Sequence, residues 1–115
     1  MADPTTLTKT NAPGNWASAG VAVTMAAADA VNGNRFVPSG KDLLIAHNTG
    51  AVERHVTVTS ALDEMKRLGT ITNEAIAAGA IHIYGPLPAD GWVQGGYILC
   101  SADDAEVKLG VVALP

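Results

Sequence analysis

Large side chains are scarce in this chain. Its 115 residues include two Trp, two Tyr and one Phe, so aromatics make up 4%. A core must then come from Val, Ile, Leu and Ala. Small side chains bury little area each, and the hydrophobic gain scales with area. Such a core favours assembly with another copy or a partner. Charge is also scarce: 16% of residues are charged, against roughly 25% in ordinary globular chains. The seven Lys and Arg are spread along the chain and the net charge is -4. Without a basic stripe there is nothing to displace counterions from a phosphate backbone, so no nucleic-acid partner is expected. The one cysteine, Cys100, excludes an intramolecular disulfide. Cys100 lies in an apolar stretch and reads as a small buried hydrophobe. No run approaches the roughly 20 apolar residues of a membrane span, so no membrane partner is expected. Met1–Asn15 lacks the basic start and apolar stretch of a secretory leader. The expectation is assembly in a cytoplasm.

What the chain does have is a rhythm. From Leu43 onward, short β-type runs are cut by Gly, Pro and Asn: Leu43–Asn48, Val56–Ser60, Ala80–Pro86, Tyr97–Ser101 and Val107–Leu114. This pattern predicts an all-β fold, a single small β-sandwich or jelly-roll-like barrel. Residues 1–15 are Thr-rich, contain Pro4 and Pro13, and lack helical periodicity. They read as an N-terminal arm, either a disordered tail or an extended segment that adds a strand to a neighbouring subunit. Residues 16–115 form the sandwich domain.

Within it, Val21–Met25 predicts the first strand, Ala26–Asn34 a turn or loop, and Arg35–Val37 a short strand. Asp42–Asn48 has apolar residues on both faces, with Leu44 and Ala46 on one and Leu43, Ile45 and His47 on the other. That pattern suits a strand buried on two sides or covered by a subunit. Asn48-Thr49-Gly50-Ala51 is a turn signal, and Arg54–Ser60 follows with clean alternation, Val56 and Val58 inward. A hairpin is predicted there. Asp63–Gly69 reads as an exposed connection, Ile71–Ile76 as an edge strand, and Pro86–Gly91 as a stiff loop before Trp92.

No residue set assembles into a catalytic pattern. The three histidines include no His-x-His pair. Neither His nor Met follows Cys100, as a cupredoxin copper site needs. There is no Gly-x-Ser-x-Gly, and Gly95-Gly96 does not match a phosphate loop. Asp103, Asp104 and Glu106 lack the spacing of an EF-hand and read as a solvated acidic turn. Neither an enzyme nor a metal or other cofactor is expected.

Four segments carry a resemblance: Asp42–Gly50, Val56–Ser60, Ile76–Gly79 and Tyr84–Pro88, with Val107–Val112 at the end. Together they resemble tailed-phage capsid decoration (cement) proteins over about two thirds of the chain, from Lys41 to Pro115. The resemblance implies a compact β domain without catalytic residues that binds the outside of a mature phage head and stabilises it. It implies the major capsid protein and further copies of the chain as partners, often as a trimer. Localisation would be the virion surface, after assembly in the host cytoplasm. The candidate contacts are Thr5, Thr6, Leu7, Thr8 and Trp16 at the arm, Met65 in the charged connection, and Leu87 and Trp92 at the Pro-rich loop. Two other readings fit the composition. One is a carbohydrate-binding or adhesin-like module stacking sugars on Trp92 and Tyr97. The other is another virion part, such as a head–tail connector or tail subunit.

Overall fold

The computed structural model describes residues 4–13, 20–59, 70–87 and 91–114. No helix occurs among them. The strands are β1 (Thr5–Thr6), β2 (Lys9–Asn11), β3 (Met25–Ala27), β4 (Asn34–Phe36), β5 (Asp42–Asn48), β6 (Arg54–Thr59), β7 (Ile71–Ile76), β8 (Ile81–Leu87), β9 (Val93–Gln94), β10 (Tyr97–Ala102) and β11 (Val107–Ala113). They form two mixed sheets. The six-stranded sheet runs β1-β4-β10-β6-β7, with β9 also paired to β10. The five-stranded sheet runs β2-β11-β5-β8, with β3 also paired to β11. The all-β expectation holds, and the two sheets make a small sandwich.

Period-two patterning decides which residues face inward. In β5, Asp42, Leu44, Ala46 and Asn48 are buried while Leu43, Ile45 and His47 are half-exposed. From the other sheet, Phe36, Val56, Val58, Ile76, Ile98 and Cys100 join Leu44, Leu109 and Val111 in one core cluster. Among the described residues Phe36 is the one aromatic with no exposed surface, so aliphatic side chains fill most of the interior described, as the composition requires.

The predicted hairpin is not formed. β5 belongs to the five-stranded sheet and pairs with β11 and β8, whereas β6 belongs to the six-stranded sheet and pairs with β10 and β7. The Asn48–Ala51 segment is an arch from one sheet to the other. Its cause is the side chain of Asn48, which has no exposed surface. Its Nδ2 donates to the carbonyls of Val52 at 2.8 Å and Ile76 at 3.0 Å, and its Oδ1 accepts from the Gly50 amide at 3.0 Å. A buried amide with these partners holds the chain across the sandwich instead of folding it back in one sheet.

Residues of the arm are ordered against their own chain. β1 pairs parallel with β4 in one sheet, and β2 pairs parallel with β11 in the other. Between them the chain crosses from sheet to sheet, and Leu7 at the crossing enters the core, 5% exposed. The Leu7 amide donates to the Arg35 carbonyl at 2.7 Å, and the Thr5 hydroxyl donates to Asp29 at 2.7 Å. Hydrogen bonds from the Asn32 amide and the Thr5 hydroxyl hold the Asp29 carboxyl below its ordinary pKa.

Candidate interaction face

The outward side chains of the two sheets differ. On the six-stranded sheet they are largely polar and find partners within the chain. The Thr57 hydroxyl accepts from the Asn73 amide at 3.1 Å. The His55 amide donates to Asp103 Oδ1 at 3.1 Å, and the His55 ring lies 3.2 Å from Asp103 Oδ2. The Arg35 guanidinium sits 4.1 Å from the centroid of the Tyr97 ring, within cation–π range.

On the five-stranded sheet the outward row across β8, β5, β11 and β3 is Ile83, Ile45, Gly110 and Met25. One row along, Leu43 pairs with Val112. Toward β3 the chain covers this face itself. A Cβ at Gly110 would collide with Met25 Sδ and lie 3.0 Å from Val23 Cγ1, so glycine is what lets that segment lie close. Toward β8 the face stays open: Ile81 is 60% and Ile83 62% exposed.

β8 is also the end of its sheet, since among the described residues it pairs with β5 alone. Its inward residues seal the side of the sandwich. His82 Nδ1 lies 2.7 Å from Glu74 Oε1 on β7, and the Tyr84 hydroxyl donates to the same oxygen at 3.2 Å. Burial and the adjacent Glu74 carboxylate push the Tyr84 phenol well above its ordinary range. Gly85 then interrupts the strand. Its φ is 120°, and a Cβ there would lie 2.6 Å from the Asp42 carbonyl oxygen. The β5–β8 register shifts at this point, between Asp42 and Leu44.

The expected contact residues fall into three groups. Thr5, Thr6 and Thr8 are exposed. Leu7 and Leu87 are core residues at 5% and 2% exposure, so in this conformation neither offers a surface. Apolar residues beside an arm or a Pro-rich loop read equally well as anchors for a partner or for the chain's own core. Here the second applies. Trp92 is half-buried and packs against the core. Trp16 and Met65, with the connection 63–69, lie outside the described residues. Ile81 and Ile83 were not among the expected contacts. Their shared face was visible in the Ile-His-Ile alternation, but not that it points outward.

The groups weighed for chemistry are placed apart. His47 faces out from β5, His55 pairs with Asp103, and His82 pairs with Glu74. The acidic turn is neutralised in part by Arg54, which lies 3.6 Å from Asp104 and 3.1 Å from Glu106. Among the described residues no group of His, Cys, Asp and Glu could hold a metal ion. Burial pushes the Cys100 thiol up to about 12, which disfavours the reactive thiolate. No family model matches the chain, and no curated protein or solved structure matches it either.

Proposed function

We propose that this chain is a virion structural protein of the capsid-decoration type, a β-sandwich that binds the outside of a phage head, self-associates and stabilises the shell. The observation that carries the reading is the largely apolar outer face of the five-stranded sheet, where His47 and Lys108 form a polar row beside Ile81. In a chain with 16% charged residues, Leu43, Ile45, Ile81, Ile83 and Val112 place outward apolar surface on one side, with two isoleucines mostly exposed. Exposed apolar surface of this kind marks interaction sites. The resemblance of Asp42–Gly50 and the segments after it to decoration proteins supports the identity of the larger partner, the major capsid protein. Exposed Thr5, Thr6 and Thr8 give the arm a second surface for it.

The test is co-sedimentation of the purified protein with expanded, undecorated phage heads. Saturable binding and heads that withstand higher temperature are expected. Heads that sediment without the protein at every concentration would overturn the shell reading. A carbohydrate module is less well supported, because Trp92 packs against the core and Arg35 covers one face of Tyr97.

A further inference from the structure

The sandwich has two long edges, and they are built differently. β7 ends the six-stranded sheet and β8 ends the five-stranded one. β7 is irregular: Asn73 adopts φ 46°, and the β6–β7 register shifts between Val56 and Val58. Kinks and bulges of this kind stop an edge from accepting another strand. Among the described residues the remaining edge strands β1, β2, β3 and β9 are two or three residues long. β8 has none of these protections before Gly85. From Ile81 to Tyr84 it carries no Lys, Arg, Asp or Glu and no proline.

Backbone direction in this stretch follows from one hydrogen bond. The Asn48 amide donates to the Ala80 carbonyl at 3.0 Å, so residue 80 turns its polar backbone toward β5. Alternation then turns residues 82 and 84 the same way, and the N–H and C=O of Ile81 and Ile83 toward the open edge.

We propose that this edge pairs with the same edge of a second copy, β8 against β8 antiparallel, about a two-fold axis through His82. The sequence Ile81-His82-Ile83 reads identically in both directions. An antiparallel copy centred on His82 therefore sets Ile81 opposite the partner's Ile83, and Ile83 opposite the partner's Ile81. Those are the residues whose backbone groups face outward, so the two pairs form four interchain hydrogen bonds and His82 falls at the non-hydrogen-bonded centre. All four isoleucines lie on the outer face, where they shield one another, and Ile45 adjoins each Ile83. No formally charged side chain from Ile81 to Tyr84 meets a like charge in this register. The pairing joins the two five-stranded sheets into one continuous sheet.

A four-residue edge falls short of the roughly 800 Å² per partner of a standard stable interface, so the dimer is concentration-dependent. The inference deepens the self-association part of the proposed function. Shell binding is assayed separately, and either can fail alone.

The first experiment is sedimentation equilibrium of the full chain over a wide concentration range. A monomer–dimer equilibrium is expected, abolished in Ile83→Lys and unchanged in Thr57→Lys on the other sheet. A monomer at every concentration, a trimer, or an Ile83→Lys protein that still dimerises would overturn the proposal. Register is tested with Ile81→Cys and Ile83→Cys, both at exposed positions. Mixed and oxidised, the two variants should crosslink, because their Cα atoms lie about 5.5 Å apart in a hydrogen-bonded pair, within disulfide reach. Either variant alone should not crosslink, since like positions lie about 8 Å apart across the axis. Cys100 is buried and the wild type serves as the control. Crosslinking of a single variant, or none in the mixture, overturns the register.

Discussion

The outer face of the six-stranded sheet is finished, and that of the five-stranded sheet is not. On the first, Thr57 meets Asn73, His55 meets Asp103 and Arg35 caps Tyr97. On the second, Met25 and Val23 cover Gly110 at one flank while Ile81 and Ile83 remain exposed at the other. The two faces share a core and differ only in what alternates with it. A strand's inward residues specify the fold, and its outward residues are free to specify association. In a charge-poor chain, the face that satisfies its own polar groups has little left to offer a partner. The apolar face has surface that water does not favour.

That contrast requires the two sheets to unfold together, and Asn48 is where to break it. Asn48→Ala strands the carbonyls of Ile76 and Val52 and the Gly50 amide. The expected cost is about 3 kcal/mol, because unmade buried hydrogen bonds carry their full desolvation penalty. Urea unfolding should show a lower midpoint with one transition and an unchanged slope. Two separate transitions would mean that the sheets are independent units. A smaller effect is expected where the chain covers its own apolar flank. Gly110→Val forces Met25 and Val23 off the sheet, at about 2 kcal/mol for overpacking. A thermal melt reads it directly, and an unchanged melting temperature would mean that the cover contributes nothing.

Much of the strand content was legible, because alternation marks shared faces wherever one side is buried. Ile71–Ile76 has the predicted bounds and the predicted edge position. Asp42–Asn48 is a strand with the predicted bounds, but it is buried on one side only, with Leu43, Ile45 and His47 half-exposed on the other. Pairing was not legible. Arg54–Thr59 alternates as cleanly for an arch as for a hairpin, and the choice depends on Ile76, whose carbonyl receives the Asn48 amide from far along the chain. Nor does any local signal show that residues 5–11 pair parallel with β4 and β11, because parallel partners are distant in sequence. For the interaction face, the shared face of Leu43 and Ile45 on β5 was readable, but not that it points outward. The exposure of Ile81 and Ile83 was not readable, because being an edge is a property of topology rather than of a strand's own residues.

The smallest expected effect lies on the polar side, at the rim formed by Asp103. Burial raises this carboxyl's pKa, but hydrogen bonds from the His55 amide and ring outweigh it and hold the carboxyl below its ordinary range. A folded-state pKa below the unfolded value contributes stability above the unfolded value, about 3.9. That contribution is lost as pH falls through the folded value. Asp103→Asn should therefore leave the acid side of the stability curve flatter than in the wild type. Asp103 and His55 are 43% and 40% exposed, so solvent screens the pair and the effect at neutral pH is small. Urea midpoints measured from neutral pH down to about pH 2, below the unfolded carboxyl value, decide the matter, at low and high salt. A difference that shrinks in high salt identifies the ion pair. Identical acid limbs for the two proteins would mean that the polar face is satisfied in geometry without being stabilised by it. The contrast between the faces would then rest on the isoleucines alone.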